Sequence, residues 1–311
     1  MRVFLTGATG FIGSRVVPEL LAAGHQVLGL TRSDAGARSL AAAGAEAHRG
    51  TLEDLDSLRA GAEQADAVIH TAFDHDFANF VANCEKDRQV ITALGSVLQG
   101  SNRPFLVTSG VAIGDPGDGG PAREDVYDDH HPIPRIASEQ AGNALLESGV
   151  DVRIVRLPQV HDPVKQGLIS PYIDDARAKG SVGYVGDGSN RWSAAHVLDV
   201  AKLYALVLDR GLKGARYHAV AEEGVALRDI AETVAAGVGL PLVSLSEAEA
   251  PAFFGWMAGF AGLDMRASSA WTRAQLGWTP TGPGLIADLK AMDYTAAAAA
   301  AAQGQSPTLD C

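Results

Sequence analysis

The stretch HPIPRIASEQAGN, residues 131–143, carries the charges that most need a chemical explanation. Pro132 and Pro134 stop whatever precedes them, a helix follows from about Arg135, and its first two turns put Arg135 and Glu139 on one face. Such a pair is either an i,i+4 surface ion pair or part of a reaction site. Just upstream, the loop REDVYDDHHPIP (123–134) offers Tyr127, His130 and His131 as proton carriers, and histidine titrates in the useful range. The DDHH run in the same loop points to no metal, because adjacent side chains diverge and no second ligand pair is suitably spaced.

A second group of residues is suited to holding a phosphate. TGATGFIGSR (6–15) lies between a strand-like run and a helix-like run. Gly7 permits the tight turn, Gly10 lets backbone approach a diphosphate, Gly13 lets helix and strand pack closely, and Thr9, Phe11 and Ile12 complete the loop. The anion would rest on the helix N-terminus. The second strand, VLGLTRS, ends in Arg32 and Ser33 where an NAD site usually carries an acid. A guanidinium suits a 2′-phosphate, so NADP(H) is expected over NAD(H), with Asp34 as the residue that leaves NAD(H) possible. Ser109, ending the run PFLVTSG (104–110), has a hydroxyl placed to hold a substrate oxygen.

These residues need a frame. RVFLTG (2–7), HQVLGLTR (25–32), EAHRG (46–50), AVIHTA (67–72), PFLVTSG and DVRIVRL (151–157) read as strands separated by helical patterns, which predicts a parallel sheet closed by right-handed crossovers. After an irregular 163–190 come a helix, VLDVAKLYALVLDRG (197–211), and a strand-like RYHAVA (216–221). Residues 225–295 read as helical with no further alternation, and AFFGWMAGFAGLDM (252–265) would either roof an apolar pocket or pack as core. The expected fold is α/β: a Rossmann-like doubly wound parallel sheet (1–162 plus about 191–224) with a smaller, mostly helical substrate lobe (about 163–190 plus 225–295). The tail 296–311 reads as a fraying helix followed by disorder.

Composition narrows the function. A net charge of −12 lacks the basic stripe that a nucleic-acid partner requires, and no long uncharged apolar window suggests a membrane span. The two cysteines, Cys84 and Cys311, suggest no disulfide framework, and the opening MRVFLTGATG reads as strand rather than secretory signal. A cytoplasmic protein with a small-molecule substrate is expected; surface helices would allow a homodimer.

With these residues assembled, the chain resembles the extended, NAD-dependent epimerase/dehydratase branch of the short-chain dehydrogenase/reductase superfamily. The likeness runs through TGATGFIG (6–13), AVIHTA (67–72), FLVTSGVAIG (105–114), PRIASEQAGN (134–143), RLPQVHDP (156–163), NRWSAAHVLDVAKLY (190–204) and LGWTPTGPGLIADL (276–289). The resemblance implies that Gly7, Gly10, Phe11, Ile12 and Gly13 form the cofactor loop, that Ala72 touches the ribose, and that Ser109 is the catalytic Ser/Thr. It also exposes a departure. Where the family carries P-Y-x-x-S-K, this chain has Pro134, Arg135, Ile136, Ala137, Ser138 and Glu139, so Arg135 stands for the tyrosine and Glu139 for the lysine. The usual proton relay is therefore absent. Three readings follow: a reductase with a relocated acid at Tyr127 or His131; hydride transfer to an iminium or activated C=C bond, with Glu139 favouring a cation; or a non-catalytic NADP(H) sensor. A sugar-type epimerase or dehydratase is the family's alternative.

Overall fold

The computed structural model describes residues 1–295; the expected fraying tail, 296–311, lies outside the described residues. The strands run β1 (Arg2–Thr6), β2 (Gln26–Thr31), β3 (Glu46–Arg49), β4 (Ala67–His70), β5 (Pro104–Gly110) and β6 (Asp151–Leu157), then β7 (Gln159–His161), β8 (Val182–Val185), β9 (Arg191–His196), β10 (Arg216–His218), β11 (Glu222–Ala226) and β12 (Leu242–Leu245). Eight helices matter here: α1 (Gly13–Ala22), α2 (Asp34–Ala42), α3 (Leu55–Glu63), α4 (Phe80–Ser96), α5 (Ile136–Glu147), α6 (Ile169–Lys179), α7 (Val197–Arg210) and α8 (Leu227–Val238).

Seven strands pair in the order β3-β2-β1-β4-β5-β6-β10, all parallel. Central strands such as β4 are buried along their whole length, because helices cover both faces of the sheet. On one face, Val16 and Leu20 of α1 pack with Leu203 and Val207 of α7; on the other, Leu58 of α3 and Ile91 of α4 meet Leu145 of α5. Strand order reverses between β1 and β4, and a ligand crevice is expected beyond the carboxyl ends of strands at such a switch.

A separate core gathers α6, β8, α8 and the segments after residue 250, with Ile173, Val182, Ile230, Phe254, Met257 and Leu289 at its centre. This part is less purely helical than its sequence suggests. β8 and β12 form a parallel pair and β11 pairs antiparallel with β9. VGYV and LVSL are four-residue runs far apart in the chain, too short to declare a period until they meet.

Candidate active site

The first turn of the fold is shaped by sterics. Gly7 has φ +69°, a backbone setting that favours glycine, and a Cβ at Gly13 would stand 2.0 Å from the Gly7 carbonyl oxygen. Helix α1 thus starts hard against β1, with no side chain capping its N-terminus. The start of α2 abuts the same turn: a Cβ at Gly36 would lie 3.2 Å from the Thr9 methyl. Arg32 and Ser33 are exposed between β2 and α2. The Ser33 hydroxyl caps α2 by accepting from the Gly36 N–H at 3.0 Å, and Asp34 pairs with Arg49 at 3.3 Å.

A cavity opens from this turn across the carboxyl edge of the sheet. Its walls include Gly7, Gly10, Phe11, Ile12 and Gly13 at one end, Ser109 and Arg135 beside the sheet, and Trp192, Phe260 and Met265 from the opposite side. Phe73, His75, Phe77 and Phe80, on and after the connection that follows β4, line it as well. Ala72 itself is turned inward, its N–H reaching the Thr6 hydroxyl at 3.4 Å, while its neighbours Thr71 and Phe73 face the cavity. The Ser109 hydroxyl is buried with no hydrogen-bond partner, an expensive state for a polar atom unless a ligand completes it.

Arg135 does not pair with Glu139. Its Nη1 donates to Asp87 Oδ2 at 2.6 Å, its Nη2 donates to the Thr108 carbonyl at 3.1 Å, and its guanidinium carbon lies 4.0 Å from the centroid of the Phe73 ring. Asp87 in turn accepts from Ser138 Oγ at 2.6 Å and from His70 Nε2 at 2.9 Å. The Thr6 hydroxyl accepts from the Ala72 N–H and shares a hydrogen bond of 2.6 Å with His70 Nδ1. Burial opposes the Asp87 charge, but Arg135, His70 and Ser138 outweigh it and hold the carboxyl at about 2. A buried chain therefore runs from the residue before the glycine turn to the cation on the cavity wall.

Glu139 faces elsewhere. It is fully buried and takes a two-pronged contact from Arg156, at 2.7 and 2.9 Å, and a third from Arg216 at 2.8 Å. Burial would raise its pKa, yet these two guanidiniums bring it below the usual carboxylate range. The expectation that Glu139 attracts a cationic substrate is corrected accordingly: it is absent from the cavity wall and already neutralised twice over. Spacing allows an i,i+4 pair, but Arg135 reaches Asp87 of α4 while Glu139 is taken by Arg156 of β6 and Arg216 of β10.

The loop candidates also lie off the cavity wall. Tyr127 sits under Arg216, whose guanidinium carbon is 4.4 Å from its ring centroid, and the His131 ring accepts from the Ile133 N–H at 3.3 Å. Of that loop, Ile133 reaches the cavity. The aromatic run divides: Phe254 and Met257 are core, Phe260 lines the cavity, and Trp256 stacks on Phe77 at 4.6 Å. Sequence reasoning passed over Asp87, His75 and Lys165. A signal for Asp87 existed, since Asn83 and Asp87 interrupt the buried stripe that Val90, Ile91 and Leu94 continue along α4.

The profile of the NAD dependent epimerase/dehydratase family matches residues 3–220, which includes both the glycine turn and the Arg135 helix. The chain belongs to that family. It is 42% identical over 296 residues to an uncharacterized protein of Schizosaccharomyces pombe, covering 94% of this chain and 100% of that one. It is 26% identical to a 4-hydroxy-2-methyl-3-oxo-4-farnesyl-3,4-dihydroquinoline-1-oxide ketoreductase of Stigmatella aurantiaca, over 70% of this chain and 67% of that protein. Its fold matches a dTDP-glucose 4,6-dehydratase from Streptomyces venezuelae with NAD and TYD bound, at a TM-score of 0.73 and 20% identity, over 94% of this chain and 96% of that one. The site fits the family's cofactor: a glycine turn without room for side chains, an uncapped helix start and an unpartnered Ser109 hydroxyl lie along one cavity.

Proposed function

We propose that this protein is an NADP(H)-dependent reductase of the carbonyl group of a small, largely apolar molecule. The observation that carries the reading is the make-up of the cavity wall: it joins the glycine turn to Ser109 and Arg135, includes Lys165, and holds no carboxylate among its lining residues. A nicotinamide held by Gly7, Gly10, Phe11, Ile12 and Gly13 would supply hydride. Ser109 and Arg135 would then both donate to the carbonyl oxygen, where negative charge grows as the carbon is reduced. Arg135 cannot surrender its proton at neutral pH, so it serves as a fixed electrostatic partner rather than an acid. Phe73, Phe77, Phe80 and Phe260 exclude water around that oxygen and favour an apolar substrate body.

This wall supports a ketone better than an iminium, because its charged side chains are cations. The ketoreductase among the relatives agrees with that choice. Arg32, exposed beside the Thr9 turn, supports the 2′-phosphate preference. The test follows NADPH and NADH oxidation against matched ketones, cyclic imines and enones, with cofactor affinity read by fluorescence. Ketone-dependent oxidation favouring NADPH is expected. Turnover of imines alone would overturn the carbonyl assignment, and tight NADPH binding without any turnover would favour the sensor.

A further inference from the structure

We propose that Lys165 donates the proton that the substrate oxygen takes up during reduction, in place of the phenol missing at position 135. The inference rests on the ketone-reductase reading above. Three ionisable nitrogen-bearing side chains line the cavity: His75, Arg135 and Lys165. Arg135 keeps its proton. His75 is pushed down to about 4, first by burial and then by the Arg135 and Lys165 charges, so at neutral pH it is an uncharged imidazole and a poor acid. An ammonium can give up a proton to an incipient alkoxide, which leaves Lys165 as the candidate on the wall.

The backbone is built to present this side chain. Lys165 N–H donates to Asp162 Oδ1 at 2.7 Å, Val164 N–H donates to the same oxygen at 2.8 Å, and Asp162 N–H returns to the Lys165 carbonyl at 2.9 Å. The Gln166 side chain then donates to the Asp162 carbonyl, and Gly167 continues at φ +49° against Gln159. From this closed turn the Lys165 stem leads to an ammonium 5.6 Å from the Phe11 ring centroid, beside the cofactor loop. His75, from the β4–α4 connection, feels the charges of both Lys165 and Arg135, which share the cavity wall, and Asp162 of the Lys165 turn lies 3.8 Å from Arg15 of α1. As hydride adds to the carbonyl carbon, the C=O π pair becomes an oxygen lone pair. An N–H bond of Lys165 breaks as the O–H bond forms, and the neutral amine regains its proton from water.

The test compares Lys165→Arg and Lys165→Ala with the unaltered full-length protein on a ketone it reduces. Both variants are expected to lose about 100-fold in kcat, since arginine keeps the charge but withholds the proton. NADPH affinity, read by fluorescence, should change by less than about threefold. Small primary alkylammonium ions should restore part of the Lys165→Ala rate and none of the Lys165→Arg rate. A Lys165→Arg protein with unchanged kcat, or variants that lose NADPH affinity while keeping kcat, would overturn the inference and make Lys165 an electrostatic or cofactor-anchoring residue. If the unaltered protein reduces no ketone, the underlying reading and this inference fall together; if it does and the arginine variant matches it, the inference falls alone.

Discussion

Arg135, pinned by Asp87, the Thr108 carbonyl and Phe73, offers a permanent charge at a fixed place on the cavity wall. Arg135→Met should therefore lower kcat/KM for ketone reduction by about 100-fold while leaving NADPH affinity nearly intact. The supporting carboxylate makes a pH prediction. Because the Asp87 pKa is depressed to about 2 in the folded protein, its contribution to stability is present above the ordinary 3.8 and is lost as pH falls through 2. Asp87→Asn should accordingly flatten the acid limb of a urea-stability profile between those values; an unchanged limb would mean the carboxylate is not held by these partners. Ser109 and Arg135 were legible in the sequence because both fall inside recognisable motifs. His75 and Lys165 were not, since each stands on an irregular connection whose path no periodicity encodes.

At the level of elements, local sterics decide more than propensity. The β1–α1 turn tolerates no side chain at Gly13, so Gly13→Ala must push the helix off the strand. We expect this change to reduce NADPH affinity by more than about tenfold, measured by fluorescence titration, alongside a lower melting temperature. The sheet edge carries a second titrating feature. His218 on β10 donates Nδ1–H to the Ser268 carbonyl at 2.8 Å and receives Arg156 at 3.3 Å, and burial with the Arg156 charge depresses it to about 3. A histidine held neutral contributes stability above its unfolded value of 6.5 that is lost as pH falls toward 3. His218→Gln should make stability less pH-dependent across that window, as chemical unfolding at stepped pH would show. The strands β1, β4 and β5 could be read from sequence because apolar runs buried on both faces are distinctive; β8 and β12 could not, because neither exists without its partner.

On the scale of the whole molecule, the core under the sheet and the separate core around Ile173, Val182 and Phe254 share one cavity, and part of the seam between them is aromatic. Phe77 from the sheet side stacks on Trp256 from the other side with an interplanar angle of 2°, and Phe260 leans on both Phe77 and Phe80. Such a stack contributes about 1 kcal/mol beyond its buried area. Trp256→Ala should leave the melting temperature within about 4 °C of the parent while raising KM for the ketone. A large loss of stability with unaltered KM would instead make the stack a structural clasp. The negative surface and the cationic cavity wall are opposite in sign, a contrast that net charge alone conceals.

The buried meeting of Glu139 with Arg156 and Arg216 has a consequence for engineering. The double change Arg135→Tyr/Glu139→Lys would set three cations against one another in a buried layer and strand Asp87 without its guanidinium. A lysine at position 139 would thus first require Arg156 and Arg216 to be discharged, and a tyrosine at 135 would oblige Asp87 to find another cation.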